Sequence, residues 1–275
     1  MADRGELVAA LLADLRAEGD QLDGVVAQLE DTAWLAPTPA EGWTVAHQIA
    51  HLAWTDEQAL LAATDPEAFR RAVGEAGPRL GTIVDDAAAS GASQGPARLL
   101  ERWRTGRAAL SDALGALPAG TKLPWFGPPM SPASMASARL METWAHGLDV
   151  TDGLHRPPST TGRLRHVAHI GVRTRDFAFA QRGLPVPVEP FRVELTAPDG
   201  ETWGWGPEDA AQRVTGPALD FCLLATQRRN RADLALQATG ADADRWLDIA
   251  QAFAGPPGPG RPPAGAGEPA PGAGA

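Results

Sequence analysis

His51, Glu142 and His146 are the residues whose types and spacing could do chemistry together. His51 lies in Ala46-His47-Gln48-Ile49-Ala50-His51-Leu52, while Glu142 and His146 lie in Met141-Glu142-Thr143-Trp144-Ala145-His146. Residues four apart share a helix face, so Glu142 and His146 can aim a carboxylate and an imidazole at one point. A third donor from a facing helix would complete a His2Glu set, which is how metal sites in helical bundles are built. Three nitrogen and oxygen ligands suit zinc and leave a position for water or substrate, a catalytic rather than a structural pattern. Nickel, iron and manganese accept the same donors. Spacing alone leaves two plainer readings open. Glu-x-x-x-His also occurs as an exposed ion pair, and a histidine flanked by Ile49, Leu52 and Trp54 also occurs in ordinary cores.

Other polar groups offer less. His47 stands four residues before His51 and makes a His-x-x-x-His pair the alternative ligand set. Asp56 and Glu57 could orient a ligand imidazole or simply form a charged helix face. Asp149 and Asp152 read as a solvated turn, and His155, His166 and His169 as structural or exposed. Arg228, Arg229 and Arg231 form a basic cluster able to hold a carboxylate, and ordinary surface arginines would look the same. The single cysteine, Cys222, sits in the apolar run Phe221-Cys222-Leu223-Leu224 and excludes a disulfide framework or cysteine-based zinc ribbon. No Gly-x-Ser-x-Gly elbow, phosphate-binding Gly-Lys loop, Gly-x-Gly-x-x-Gly fingerprint or His-Glu-x-x-His motif is present.

The candidate residues need helices to position them, and the sequence supplies them. Leu7, Leu11, Leu15, Leu22, Val25, Val26 and Leu29 form a helical stripe over 6–30. Thr44 is a plausible N-cap for a helix over 44–63 carrying His51, and Asp65-Pro66-Glu67 opens a shorter one. Residues 74–95 are rich in Gly, Ser and Ala and read as loop or weak helix. A helix follows near 96–117, then the irregular Lys122–Pro129 segment with its three prolines. Ser131-Pro132 opens the helix that carries Glu142 and His146 to about Gly153, and another spans roughly 159–181. Beyond Gly183 the pattern changes. Residues 191–196 and 201–205 alternate with period two around an Asp199-Gly200 turn. A helix opening at Gly216-Pro217, a strand at 232–239 and a helix near 242–253 complete the pattern. The expected organisation is mainly α: a helical bundle over 1–182, a small α+β domain over 183–255, and a disordered Gly/Pro/Ala tail over 256–275.

Composition narrows the partners. With 24 basic against 34 acidic residues the formal net charge is −10, which disfavours nucleic acid and anionic membrane. No apolar run approaches the roughly 20 residues of a membrane span, and the N-terminus lacks a signal-peptide pattern. The chain reads as cytoplasmic, a monomer or small homo-oligomer acting on a small molecule.

Gly42-Trp43-Thr44-Val45 leading to Ala50-His51-Leu52, with the later Glu142-x-x-x-His146, resembles the metal-binding domain of mycothiol-dependent maleylpyruvate isomerases. That domain belongs to the DinB-like four-helix superfamily. Val214 to Asp220 followed by Gln227-Arg228-Arg229 is similar to the same family's C-terminal α+β domain, so the resemblance covers about residues 5–255. It implies that His51, Glu142 and His146 are the metal ligands, that His47 is not one, and that the metal is zinc or another divalent ion. It further implies mycothiol, the low-molecular-weight thiol of actinobacteria, as cosubstrate for isomerisation or transfer on a small electrophile. Arg228 is the candidate catalytic residue that would hold a carboxylate or the cofactor. A non-catalytic module of the same fold, binding metal or an apolar ligand, is the alternative. The Lys122–Pro129 and 74–95 segments have no evident match in the isomerase.

Overall fold

The computed structural model describes residues 4–77, 81–118, 120–253, 255, 258 and 260–265. Its contacts divide the chain into two compact units, Met1–Ser159 and Thr160–Ala275.

The first unit is built around helix α2 (Val45–Thr64), which is buried on nearly every side through residues such as Val45, Ile49, Ala50, Leu52, Ala53 and Ala59. A helix apolar around most of its circumference must be enclosed by others. Here α4 (Ile83–Ala92), α5 (Pro96–Ala116) and α6 (Pro132–Gly153) enclose it, α1 (Arg4–Val26) packs on α5 and α6, and α3 (Pro66–Ala76) completes the unit. Pro66, Pro96 and Pro132 each stand in a first turn, where a missing N–H costs nothing. Asp65 and Ser131 cap two of these starts by accepting from the Ala68 and Ser134 amides.

The 74–95 segment, expected as loop or weak helix, contains the end of α3 and the whole of α4. Its small residues form a contact surface. A Cβ on Gly91 would fall 2.6 Å from that of Ala50, so only glycine lets α4 approach α2 this closely, one residue from His51. Lys122–Pro129 is irregular as expected. It is closed at its base by Leu123 and Met130, which exchange backbone hydrogen bonds of 2.8 and 2.9 Å.

Asp23 on α1 ties that helix to α5. It accepts from Arg104 at 2.5 and 2.6 Å and from Arg107 at 3.2 Å. The Arg104 hydrogen bonds, against the opposing effect of burial, hold its carboxyl below the ordinary range, with Arg107 adding to the pull. A depressed folded-state pKa contributes stability above the unfolded value, and that contribution is lost as pH falls through the folded one. Acid unfolding monitored by circular dichroism below about pH 4 should therefore be less steep in Asp23→Asn than in the unaltered protein.

The second unit begins with α7 (Leu164–Arg173) and α8 (Arg175–Gln181). The single helix expected over 159–181 is broken at Thr174, whose hydroxyl donates back to the Ile170 and Gly171 carbonyls and bends the chain. These helices belong with the sheet. A Cβ on Gly171 would sit 2.9 Å from Phe221 and 3.0 Å from Ala225, so α7 is pressed on α9 (Ala218–Ala225). The division therefore falls earlier than the boundary expected at 182–183. Strands β1 (Phe191–Thr196) and β2 (Thr202–Trp205) form the expected hairpin, with Gly200 at a φ of 86°. A strand absent from the sequence reading, β3 (Gln212–Pro217), pairs parallel with β1, and β4 (Gln237–Thr239) adds antiparallel, giving the order β2-β1-β3-β4. Of the strand expected at 232–239 only the last three residues pair in the sheet, and Arg231–Asp233 form a 3-10 turn. Helix α10 (Ala241–Ile249) follows. Of the tail expected to be disordered over 256–275, residues 256, 257, 259 and 266–275 lie outside the described residues. Nearer the sheet, Gly258, Arg261 and Ala264 hydrogen-bond Arg182, Asn230 and Asp233.

Candidate metal centre

Helices α2 and α6 bring the three expected residues together. The side chains of His51, Glu142 and His146 each offer a ligand atom, all within 4.8 Å of one another. Glu142 Oε2 lies 3.4 Å from His51 Nε2 and 3.0 Å from His146 Nε2, and the two imidazole centroids are 4.3 Å apart. The centre stands at the edge of the core, with side-chain exposures of 10, 22 and 13 % for His51, Glu142 and His146. Solvent therefore touches all three side chains.

The hydrogen bonds around the centre fix how the rings face it. Gln48, fully buried one turn before His51, donates from Nε2 to the Thr38 hydroxyl at 2.8 Å, which turns its Oε1 toward His146 Nδ1 at 2.6 Å. A carbonyl oxygen only accepts, so the proton of His146 sits on Nδ1. Nε2 then points its lone pair at the Glu142 carboxylate. Two acceptors 3.0 Å apart need a cation between them, either a second proton on the imidazole or a metal ion. The donor set thus fits a divalent metal. Burial pushes the Glu142 carboxyl up, but hydrogen bonds and charge from His146 and His51 outweigh it and hold the group well below the ordinary range. Glu142 is therefore ionised, the form in which a carboxylate could ligate a metal. An outer-shell partner such as Gln48 is worth roughly 10–100-fold in metal affinity. Gln48→Leu should weaken zinc binding by that factor in a chelator competition, and Gln48→Glu, which keeps an acceptor, should weaken it less.

The structure decides the alternatives left open by spacing. His47 does not face the centre. Its Nδ1 accepts from the Thr44 backbone amide at 3.3 Å and lies 2.9 Å from the Thr44 hydroxyl, closing the start of α2. Neither Asp56 nor Glu57 orients a ligand imidazole. Asp56 accepts from Arg139 at 2.8 Å in a fully buried pair, and Glu57 takes a bidentate bond from Arg102 at 2.6 Å. Asp149, expected in a solvated turn, is buried on α6. His169 accepts from the Trp205 indole at 3.2 Å. Arg228 is half-buried in the second unit, donating to the Thr226 carbonyl at 2.7 Å, while Arg231 pairs with Asp244 and Asp248 on α10. Burial pushes the Cys222 thiol up, and its sulfur faces the Leu164 carbonyl at 3.5 Å. Trp43 and Gln48 are the contributors that sequence reasoning missed. The Trp43 indole stacks on His146 at 6.1 Å, stands 5.5 Å from His51, and is held by a 3.1 Å bond to Asp85 on α4.

Residues 15–151, spanning α1 to α6 and all three convergent residues, match the family model described as mycothiol maleylpyruvate isomerase N-terminal domain. The chain belongs to the mycothiol maleylpyruvate isomerase-like family. Residues 187–239 match a second model, described as wyosine base formation. The curated relative "Uncharacterized protein Rv0036c" of Mycobacterium tuberculosis is 59 % identical over 261 residues, covering 95 % of this chain and all of that one. Among solved structures, the mycothiol-dependent maleylpyruvate isomerase aligns with a TM-score of 0.59 at 17 % identity over 86 % of this chain and 95 % of its own. A histidine-to-alanine mutant of that isomerase aligns with a TM-score of 0.57 at 18 % identity, over 83 % and 92 %. At such identities the likeness is one of fold. As in a DinB-like bundle, the convergent residues of this family member lie on facing helices. Among the described residues no helix is long and apolar enough to cross a membrane.

Proposed function

We propose that this protein is a divalent-metal enzyme of isomerase or transferase type. In this reading zinc is held by His51, Glu142 and His146, and mycothiol is the cosubstrate for a small electrophile. The observation that carries the reading is the convergence of three ligand atoms within 4.8 Å at an accessible edge of the bundle. Fold and family membership support it. When bound, zinc stabilises a thiolate at neutral pH and polarises a substrate carbonyl. The protein's own residues do the rest. Glu142 contributes the negative charge, Gln48 keeps His146 Nε2 turned inward, and the Trp43 ring shields both imidazoles from water on one side. With Cys222 sealed in the core, the reacting sulfur comes from a small thiol. Arg228, in the second unit, is proposed as a carboxylate-holding residue of that unit.

Metal per chain, determined by elemental analysis on untagged protein, tests the first half of this reading, and mycothiol consumption with electrophiles tests the second. One zinc per chain together with thiol-dependent turnover is the expected result. No metal even after incubation with zinc would sink the proposal. Metal without turnover would favour the non-catalytic module.

A further inference from the structure

The candidate metal centre stands at one end of an unbroken row of aromatic rings. Trp54, three residues after His51 on α2, has its ring centroid 6.4 Å from the His51 imidazole. Phe126 follows at 6.0 Å from Trp54, and Trp125 lies 5.1 Å beyond it at a steep angle. Phe69 on α3 closes the group, stacked on Trp125 at 5.7 Å and 7°, and edge-on to Phe126 at 5.3 Å. The inner end is anchored, since Phe69 is 1 % exposed. The outer faces are open. Phe126 is 39 % exposed, and Trp54 and Trp125 are half-buried.

The loop that presents Trp125 and Phe126 is built to hold them still. Its base is clamped by the paired Leu123 and Met130 backbones, and Pro124, Pro128 and Pro129 restrict the turn between. A structural role for the loop needs Trp125 and Phe126 packed on Phe69. It does not need Phe126 to stand in water beside the ring that neighbours His51.

We propose that this row binds the planar apolar part of the electrophile, so that the centre takes an aromatic or flat conjugated substrate rather than a compact dicarboxylate. The inference rests on the metal-enzyme reading. Aromatic faces attract flat rings through offset or edge-on stacking and large buried area. The rings in the row are neutral and offer a compact dianion no charge to replace its hydration. The row also continues directly to a ligand histidine, so a substrate lying along it would bring its reactive end to the centre.

The test is a fluorescence titration of the zinc-loaded full chain with N-phenyl-1-naphthylamine, a neutral aromatic whose emission rises on burial. Saturable binding is expected, weakened roughly tenfold or more in Phe126→Ala and restored in Phe126→Trp. Far-UV circular dichroism and zinc content should be unchanged in both variants. No saturable binding, or equal binding in Phe126→Ala, would overturn the inference. The two readings fail separately. A wild-type chain that holds zinc but not the probe defeats the aromatic face alone, whereas one that holds the probe but no zinc defeats the metal centre and retains the aromatic face.

Discussion

Glu142→Ala is expected to release the metal from this protein. The carboxylate lies within reach of both imidazoles, 3.4 Å from one and 3.0 Å from the other, so on the proposed reading its loss removes one ligand and the contact that orders the other two. Removing an outer-shell partner costs roughly 10–100-fold in affinity, and removing a direct ligand should exceed that. Zinc per chain after dialysis against a weak chelator should fall from one to near zero, with far-UV circular dichroism unchanged. His51→Ala should behave in the same way. The fold should survive, because the core of the first unit rests on Val26, Ile49, Leu52, Leu99 and Trp103 and not on the centre. A Glu142→Ala protein that still holds one zinc would mean that other residues ligate it.

The largest stability effect is expected at Arg139. This arginine and Asp56 are 2 and 3 % exposed and joined by a single 2.8 Å hydrogen bond between α6 and α2. Burial pushes the Asp56 carboxyl up against the pull of Arg139, so the pair depends on both members. Breaking a buried pair by removing one partner costs about 3–5 kcal/mol, because the other charge is left uncompensated. Arg139→Met should lose that much in urea unfolding. The double variant Asp56→Leu with Arg139→Met should recover most of it, since replacing both partners by apolar groups removes the stranded charge. A single variant as stable as the unaltered protein would show that the Asp56 charge is not stranded there.

The convergence of His51, Glu142 and His146 was legible in part from spacing and in part from the family resemblance. Glu142 and His146 fall four apart on a helix whose start is marked by Ser131-Pro132, and the Gly-Trp-Thr-Val lead-in locates α2. Gln48 was not legible, because a lone glutamine in a helix carries no pattern. Its meaning depends on Thr38 and on His146, which is 98 positions away. Arg139 reads as an ordinary helix arginine until the fold buries it against Asp56. Helix α4 was hidden for the opposite reason. Gly91 and Ser90 lower helix propensity and the run of alanines carries no apolar stripe, yet here the smallness of Gly91 is what allows contact with Ala50. Strand β3 escaped because Val214 alone is buried in a strand otherwise half-exposed, so no alternation marks it.

If the chain is the catalyst proposed above, the burial of Cys222 has a practical consequence. An electrophile that reaches the metal centre meets no accessible protein sulfhydryl, since the only one in the chain is sealed beneath α7 with its proton tightly held. On that reading its cysteine should be protected from alkylation by the substrate. Any thiol adduct found in a reaction mixture would report on the added small thiol alone, without a self-labelling background.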